Sequence, residues 1–240
     1  MLKKDYLTEL ATKNQTSLDN IFREYIQNVF LRFLYQKKAS KEILFKGGTA
    51  LKFVYNSPRF SKDLDFTLLN ITFNKIETTV LEVLSNLEKE SFQPKIIESK
   101  KTTGGYLAEL AVEIYHEKVR ISVQGSKRKK NDAGKEVKLI VNNFIPDYSA
   151  YLLEEKLLIG EKIQAALTRS KPRDFFDIYF LLRGGHIPIE LRKKLSKVAD
   201  IIKEKDINYK EDLSYLLPYS LQNIASEFPS PLLNELKKYA

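Results

Sequence analysis

The feature that most constrains the fold is a pair of adjacent glycines, Gly47-Gly48, standing between an apolar run and a segment of helical spacing. The chain has only nine glycines in 240 residues, so two side by side mark a special backbone position. The run before them, "EILF", reads as a short buried strand. The stretch after them, "TALKFVY", reads as a helix. Glycine lets backbone approach a neighbour or a ligand more closely than any side chain would allow. A helix start also leaves N–H groups free and carries the positive end of the helix dipole, which favours phosphate. Thr49 adds a hydroxyl and Lys46 a positive charge. The spacing G-x-x-x-x-G-K-[ST] is absent, so this is not a Walker loop. By itself Gly-Gly-Thr is also compatible with a plain turn.

A second feature follows within a dozen residues. "DLDFTLL" alternates, with Asp63, Asp65 and Thr67 on one face of a strand and Leu64, Phe66 and Leu68 on the other. Two carboxylates that close repel unless water screens them or a cation sits between them. A divalent ion completed by phosphate oxygens accounts for the layout; a wet strand face accounts for it too. The chain has no cysteine and only two histidines, which excludes thiolate sites and a histidine-rich centre. Any metal must be held by oxygen, which points to magnesium, manganese or calcium.

The remaining pattern is α+β. Residues 5–38 and 74–90 have helical spacing. "PKII", "YLAELAVEIY", "KVRISVQG" and "KEVKLIVNNF" read as strands, the last two flanking "SKRKKNDAGK" as a hairpin loop. Beyond Pro146 the texture turns helical: residues 149–168 read as one helix, 173–183 as another ending at Gly184-Gly185, and 188–240 as short helices. This predicts a mixed-sheet domain over 1–148 and an all-helical domain over 149–240.

Lysine and arginine total 40 against 31 acids, a formal charge of +9. Such a surface attracts polyanions, although solubility alone can account for it. The basic loop gives Lys127, Arg128, Lys129 and Lys130 as candidate RNA-backbone contacts, with a solvated loop as the alternative. No apolar stretch is long enough to span a bilayer and "MLKKDYLTELATKNQ" has no apolar core of signal length. A cytoplasmic protein without membrane attachment is the expectation.

Taken together, "FKGGTALKF" and "PRFSKDLDF" resemble the AbiEii family of nucleotidyltransferase toxins, which includes the MenT toxins and has the fold of the DNA polymerase β superfamily. The family hallmark is Lys-Gly-Gly-Thr-Ala-Leu followed by Arg-Phe-Ser-x-Asp-Leu-Asp, matched by residues 46–51 and 59–65. A second block matches at Glu161-Lys162, Ala166-Leu167, Arg169 and Pro172-Arg173-Asp174-Phe175-Phe176-Asp177. The resemblance implies a metal-dependent nucleotidyltransferase. Asp63 and Asp65 would hold Mg2+ or Mn2+. Lys46, Gly47, Gly48, Thr49, Arg59 and Ser61 would bind the NTP. Lys162 with Asp174 or Asp177 would join the catalytic residues from the helical domain. It also implies RNA as acceptor, in some relatives the tRNA 3′ end, and a cognate antitoxin.

One position departs from the superfamily pattern. Ser122 stands where a third carboxylate is expected, with Glu109 and Glu113 on the preceding strand as substitutes. Two other readings stay open: a protein that kept the fold as a nucleic-acid- or partner-binding module, and a metal nuclease using Asp63 and Asp65 alone.

Overall fold

The computed structural model describes residues 1–128 and 134–239. They form two compact units, one of residues 1–56 and 60–154, the other of Ser57–Arg59 with residues 155–240.

The first unit is built on a seven-stranded mixed sheet. Its elements in order are α1 (Lys4–Lys13), α2 (Leu18–Tyr35), β1 (Ile43–Lys46), α3 (Gly47–Tyr55), β2 (Asp63–Leu69), α4 (Phe73–Lys89), β3 (Gln93–Thr102), β4 (Gly105–Ile114), β5 (Glu117–Arg128), β6 (Lys135–Ile140) and β7 (Tyr148–Leu153). The strands lie in the order β3-β4-β5-β2-β1-β7-β6. β2 pairs in parallel with β5 and antiparallel with β1, which brings the acid-bearing strand to the middle of the sheet. Alternation decides the faces. Leu64, Phe66 and Leu68 of β2, Ala108 and Leu110 of β4, and Val119, Ile121 and Val123 of β5 are all buried. Each fully buried apolar side chain of this size contributes about 1.5–3 kcal/mol. Of the intervening residues, Asp63, Asp65, Glu109 and Gln124 keep solvent access, whereas Thr67 and Ser122 are buried. Ser17 caps α2: its hydroxyl accepts from the Asn20 N–H at 3.3 Å.

Two expectations are corrected here. Residues 149–168 are not one helix. Tyr148–Leu153 form β7, with Tyr148, Ala150 and Leu152 buried at a period of two, and the helix begins only at Glu155. Nor are β5 and β6 a hairpin. β6 pairs with β7, and three strands separate it from β5 in the sheet.

The second unit is helical: α5 (Glu155–Thr168), α6 (Pro172–Arg183), α7 (Ile189–Arg192), α8 (Leu195–Glu204), α9 (Tyr209–Ser214), α10 (Gln222–Glu227) and α11 (Ser230–Leu236). Pro172 opens α6, where its missing N–H costs nothing. Phe175, Phe176, Tyr179, Tyr209 and Phe228 form an aromatic core, with ring centroids 5.3–6.1 Å apart. Among the described residues, no helix is long and apolar enough to cross a membrane.

Candidate active site

The glycine turn and the acid strand are built against each other. Gly47 has φ +83°, and a Cβ placed on it would fall 2.2 Å from Asp65 Oδ2. The turn therefore needs glycine twice over, for its left-handed backbone and for the carboxylate lying on it. Thr49 is buried, and its hydroxyl donates to the Asp63 carbonyl at 2.5 Å. That proton is thus directed to β2, and the side chain ties the start of α3 to the strand carrying the acids. Lys46 is the cross-strand neighbour of Asp65, and its ammonium donates to Ser126 Oγ at 2.8 Å. The Ser61 carbonyl accepts from Gln27 of α2 at 3.1 Å, which fixes the approach to β2.

The register carries this face across three strands. Asp63 is opposite Ser122 and Asp65 opposite Gln124, while Ser122 is opposite Glu109 on β4. Directly paired residues point to the same side, so Asp63, Ser122 and Glu109 form one row. Two shallow depressions open on this face, and Gln124 belongs to both. One is lined by Lys46, Asp65, Tyr106 and Ser126 among others. The other is lined by Asp63, Ser122, Glu109 and the basic residues Arg23, Lys62, Lys118 and Arg120. Glu113 lies four residues further along β4, opposite Lys118, and is absent from that lining. The position lacking an acid at Ser122 therefore has a carboxylate beside it, from Glu109.

Asp63 and Asp65 supply two hard, partly exposed oxygen donors. Among the described residues, no group of three or more His, Cys, Asp or Glu is placed to hold a metal. A pair of carboxylates fits a divalent ion of the magnesium kind, which takes its remaining ligands from water and substrate phosphate rather than from a protein cage.

In the helical unit, the second motif block has an internal organisation of its own. Arg59 forks onto Asp177, with Nε 2.8 Å from Oδ1 and Nη2 3.0 Å from Oδ2. Lys162 donates to Asp177 Oδ2 at 2.8 Å. All three side chains are buried. Burial pushes the Asp177 carboxyl up, but the charges and hydrogen bonds of Arg59 and Lys162 outweigh it and hold the group down at about 2. Asp174 is fully buried in the first turn of α6. It accepts from the Lys171 N–H at 3.3 Å and from Arg169 Nε and Nη2 at 2.8 and 2.6 Å. Both acids of the block thus hold basic side chains in place. A cavity of about 780 Å³ between α8 and α11 contains none of the motif residues.

Of the basic loop, Lys127 and Arg128 end β5 opposite Leu68 and Leu69. That is five and six residues along the parallel pair from the Asp63–Ser122 row, about 16–20 Å. Lys129 and Lys130 lie outside the described residues.

The sequence profile of the family described as nucleotidyl transferase AbiEii toxin, Type IV TA system, matches residues 30–236. The chain belongs to the AbiEii family. No curated protein matches it in sequence. Solved structures share its fold. MenT4, a nucleotidyltransferase toxin from Mycobacterium tuberculosis H37Rv, superposes with a TM-score of 0.70 at 17% identity, covering 100% of this chain and 90% of that one. JHP933 from Helicobacter pylori gives 0.61 at 22% identity, covering 93% and 94%. A putative nucleotidyltransferase from H. pylori gives 0.62 at 20%, covering 93% and 97%. This AbiEii protein is thus α+β, with the mixed sheet and helical region of nucleotidyltransferase toxins. Sequence reasoning found the glycine turn and the acid pair. It missed Gln124, Ser126, Lys118 and Arg120, because strand register brings these residues to the face of the acids, and Arg23, which comes from α2.

Proposed function

We propose that this AbiEii protein transfers a nucleoside monophosphate from an NTP to a hydroxyl of an RNA acceptor, the tRNA 3′ end being the acceptor that the family suggests, and that it acts as the toxin partner of a cognate antitoxin. The observation that carries the reading is the Asp63–Asp65 face seated directly on the Gly47 turn. It supports phosphate at the turn and a divalent cation at the carboxylates, a pairing that neither a wet strand face nor a nuclease with two acids accounts for.

In the transfer, the acceptor oxygen forms a bond to the α-phosphorus, the bond from that phosphorus to the α,β-bridging oxygen breaks, and pyrophosphate leaves with the electron pair. A divalent ion held by Asp63 and Asp65 would neutralise charge on the phosphate oxygens. The chain's own groups do the rest. The N–H groups at the start of α3 and the Lys46 ammonium bind phosphate oxygens. Thr49 keeps the strand carrying Asp63 fixed to that turn. Glu109 is the carboxylate placed to take the proton of the attacking hydroxyl, and its position beside Ser122 favours turnover over a binding module that has lost it. The family motif also assigns Lys162 to the nucleotide's phosphates, and Asp177 is the group that orients its ammonium.

Incubation of the purified protein with labelled NTPs, magnesium and total RNA tests this. Asp63→Asn and Asp65→Asn each remove an anionic ligand while keeping shape. Both variants are expected to fold and to lose transfer. Transfer at the unchanged rate in both would sink the assignment.

A further inference from the structure

We propose that the basic depression on the Asp63 side of the sheet binds the phosphodiester backbone of the strand that supplies the attacking hydroxyl. The inference rests on the transferase reading above and assigns the acceptor a place within it.

The two depressions divide the acid pair. Asp65 belongs to the one that holds Lys46, and the Gly47 turn lies against that same Asp65 carboxylate. Asp63 belongs to the other, of about 440 Å³, together with Glu109 and Ser122. In phosphoryl transfer the attacking and leaving oxygens lie in line on opposite sides of the phosphorus. If pyrophosphate departs over the Gly47 turn and Lys46, the attacking hydroxyl must approach from the Asp63 side. The charge on that side fits such an arrival. Four cations, Arg23, Lys62, Lys118 and Arg120, share the lining with the two carboxylates Asp63 and Glu109.

These cations differ in kind. Arg23 is buried, paired with Asp19 at 2.8 Å and donating to Asn20 Oδ1 at 3.2 Å and to the Arg120 carbonyl at 3.4 Å, so it is part of the wall. Lys62, Lys118 and Arg120 are exposed. Lys118 and Arg120 alternate with buried Val119 and Ile121 along β5, which puts both on the face of Ser122 and Gln124. Exposed, long and cationic, these three can follow a backbone without reading its bases, as phosphate contacts do. The basic end of β5, with Lys127 and Arg128, is the rival location, and it lies several residues away from the acids.

The test is binding of a fluorescein-labelled single-stranded oligonucleotide, followed by anisotropy from low to moderate salt, without NTP or divalent metal. The probe is used as RNA and as DNA of one sequence. Substituting Lys62, Lys118 and Arg120 together by serine is expected to weaken binding and to flatten the log–log salt dependence by about 0.7 per lost contact, hence by about 2 for the three. Lys127→Ser with Arg128→Ser removes charge from the rival end and is expected to leave the slope nearly unchanged. Circular dichroism checks that both variants are folded. Equal loss with both probes identifies the backbone alone as the ligand; loss with RNA only adds the 2′-hydroxyl to it. An unchanged slope in the triple variant, or flattening confined to the Lys127/Arg128 variant, would overturn the proposal. That failure is distinct from failure of the transferase reading, which depends on whether Asp63→Asn and Asp65→Asn still transfer.

Discussion

Gly47 and Asp177 represent two ways in which single residues shape their surroundings in this chain. Gly47 does so by lacking a side chain, since its missing Cβ is where the Asp65 carboxylate sits. Asp177 does so by charge, holding Arg59 and Lys162 at once in a buried position. Its folded pKa, about 2 against an ordinary 3.8, makes it a stability element with a definite pH window. Because the folded value is depressed, the stabilisation is present above the unfolded pKa and lost as pH falls through the folded one. The difference corresponds to about 2 kcal/mol. A carbon-detected NMR titration is expected to find the Asp177 carboxyl ionised well below pH 4 and half-titrated near about 2. Urea unfolding of Asp177→Asn is expected to show a deficit at pH 6 of a few kcal/mol, as for a buried pair that has lost one partner, narrowing toward pH 2. A carboxyl that titrates at the ordinary aspartate value would refute the ionised trio.

Elements were legible in the sequence where local pattern settles them and not where pairing does. The alternation of Asp63 to Leu69 announced β2, and the 3.6-residue spacing of Ile76, Val80, Val83 and Leu87 announced α4. Tyr148–Leu153 failed that kind of reading because Leu152 and Leu153 also continue the apolar rhythm of α5, so a strand ran unseen into a helix. As sequential neighbours, β5 and β6 suggest a hairpin, because nothing in either strand encodes that β6 takes β7 instead. The β1–β7 seam itself is thin, with parallel pairing recorded only at Phe45 and Leu152. A side chain reinforces it: the Tyr35 hydroxyl lies 3.1 Å from the Ile43 carbonyl and 3.0 Å from the Tyr151 carbonyl. Burial and the nearby Tyr148 raise the Tyr35 pKa well above its usual value, so the phenol remains a donor at any working pH. Tyr35→Phe removes that donor and is expected to cost about 1–2 kcal/mol in urea unfolding, with faster amide exchange in β1 and β7. Wild-type stability and exchange in the variant would show that the seam holds without it.

At the scale of the whole molecule, the two motif blocks are joined by a residue that the sequence groups with its neighbours. Arg59 reads as part of the stretch leading to Asp63, yet Ser57–Arg59 pack with the helical unit, where Arg59 meets Asp177 across 118 positions of chain. The presence of both blocks was legible from residue types and order. The Arg59–Asp177–Lys162 trio was not, because a contact over that separation leaves no periodic trace, and that Glu109 and not Glu113 lies opposite Ser122 was hidden because strand register has no local signature. The trio makes the role of Lys162 separable from stability. An ammonium has three N–H donors, and Asp177 accepts one at 2.8 Å, so the motif's assignment of Lys162 to phosphate can be tested apart from this bond. In Lys162→Ala, Asp177 keeps its two-point contact with Arg59, so the variant is expected to stay folded and to lose less stability than Asp177→Asn. Its affinity for NTP, measured by calorimetry on the full chain, is expected to fall by about tenfold or more, the size of one charge-assisted hydrogen bond. Lys162→Arg is expected to recover little of it, since a planar fork does not replace a compact ammonium seated on one carboxylate oxygen. Wild-type NTP affinity in Lys162→Ala would assign Lys162 to the architecture of the helical unit and remove it from the site.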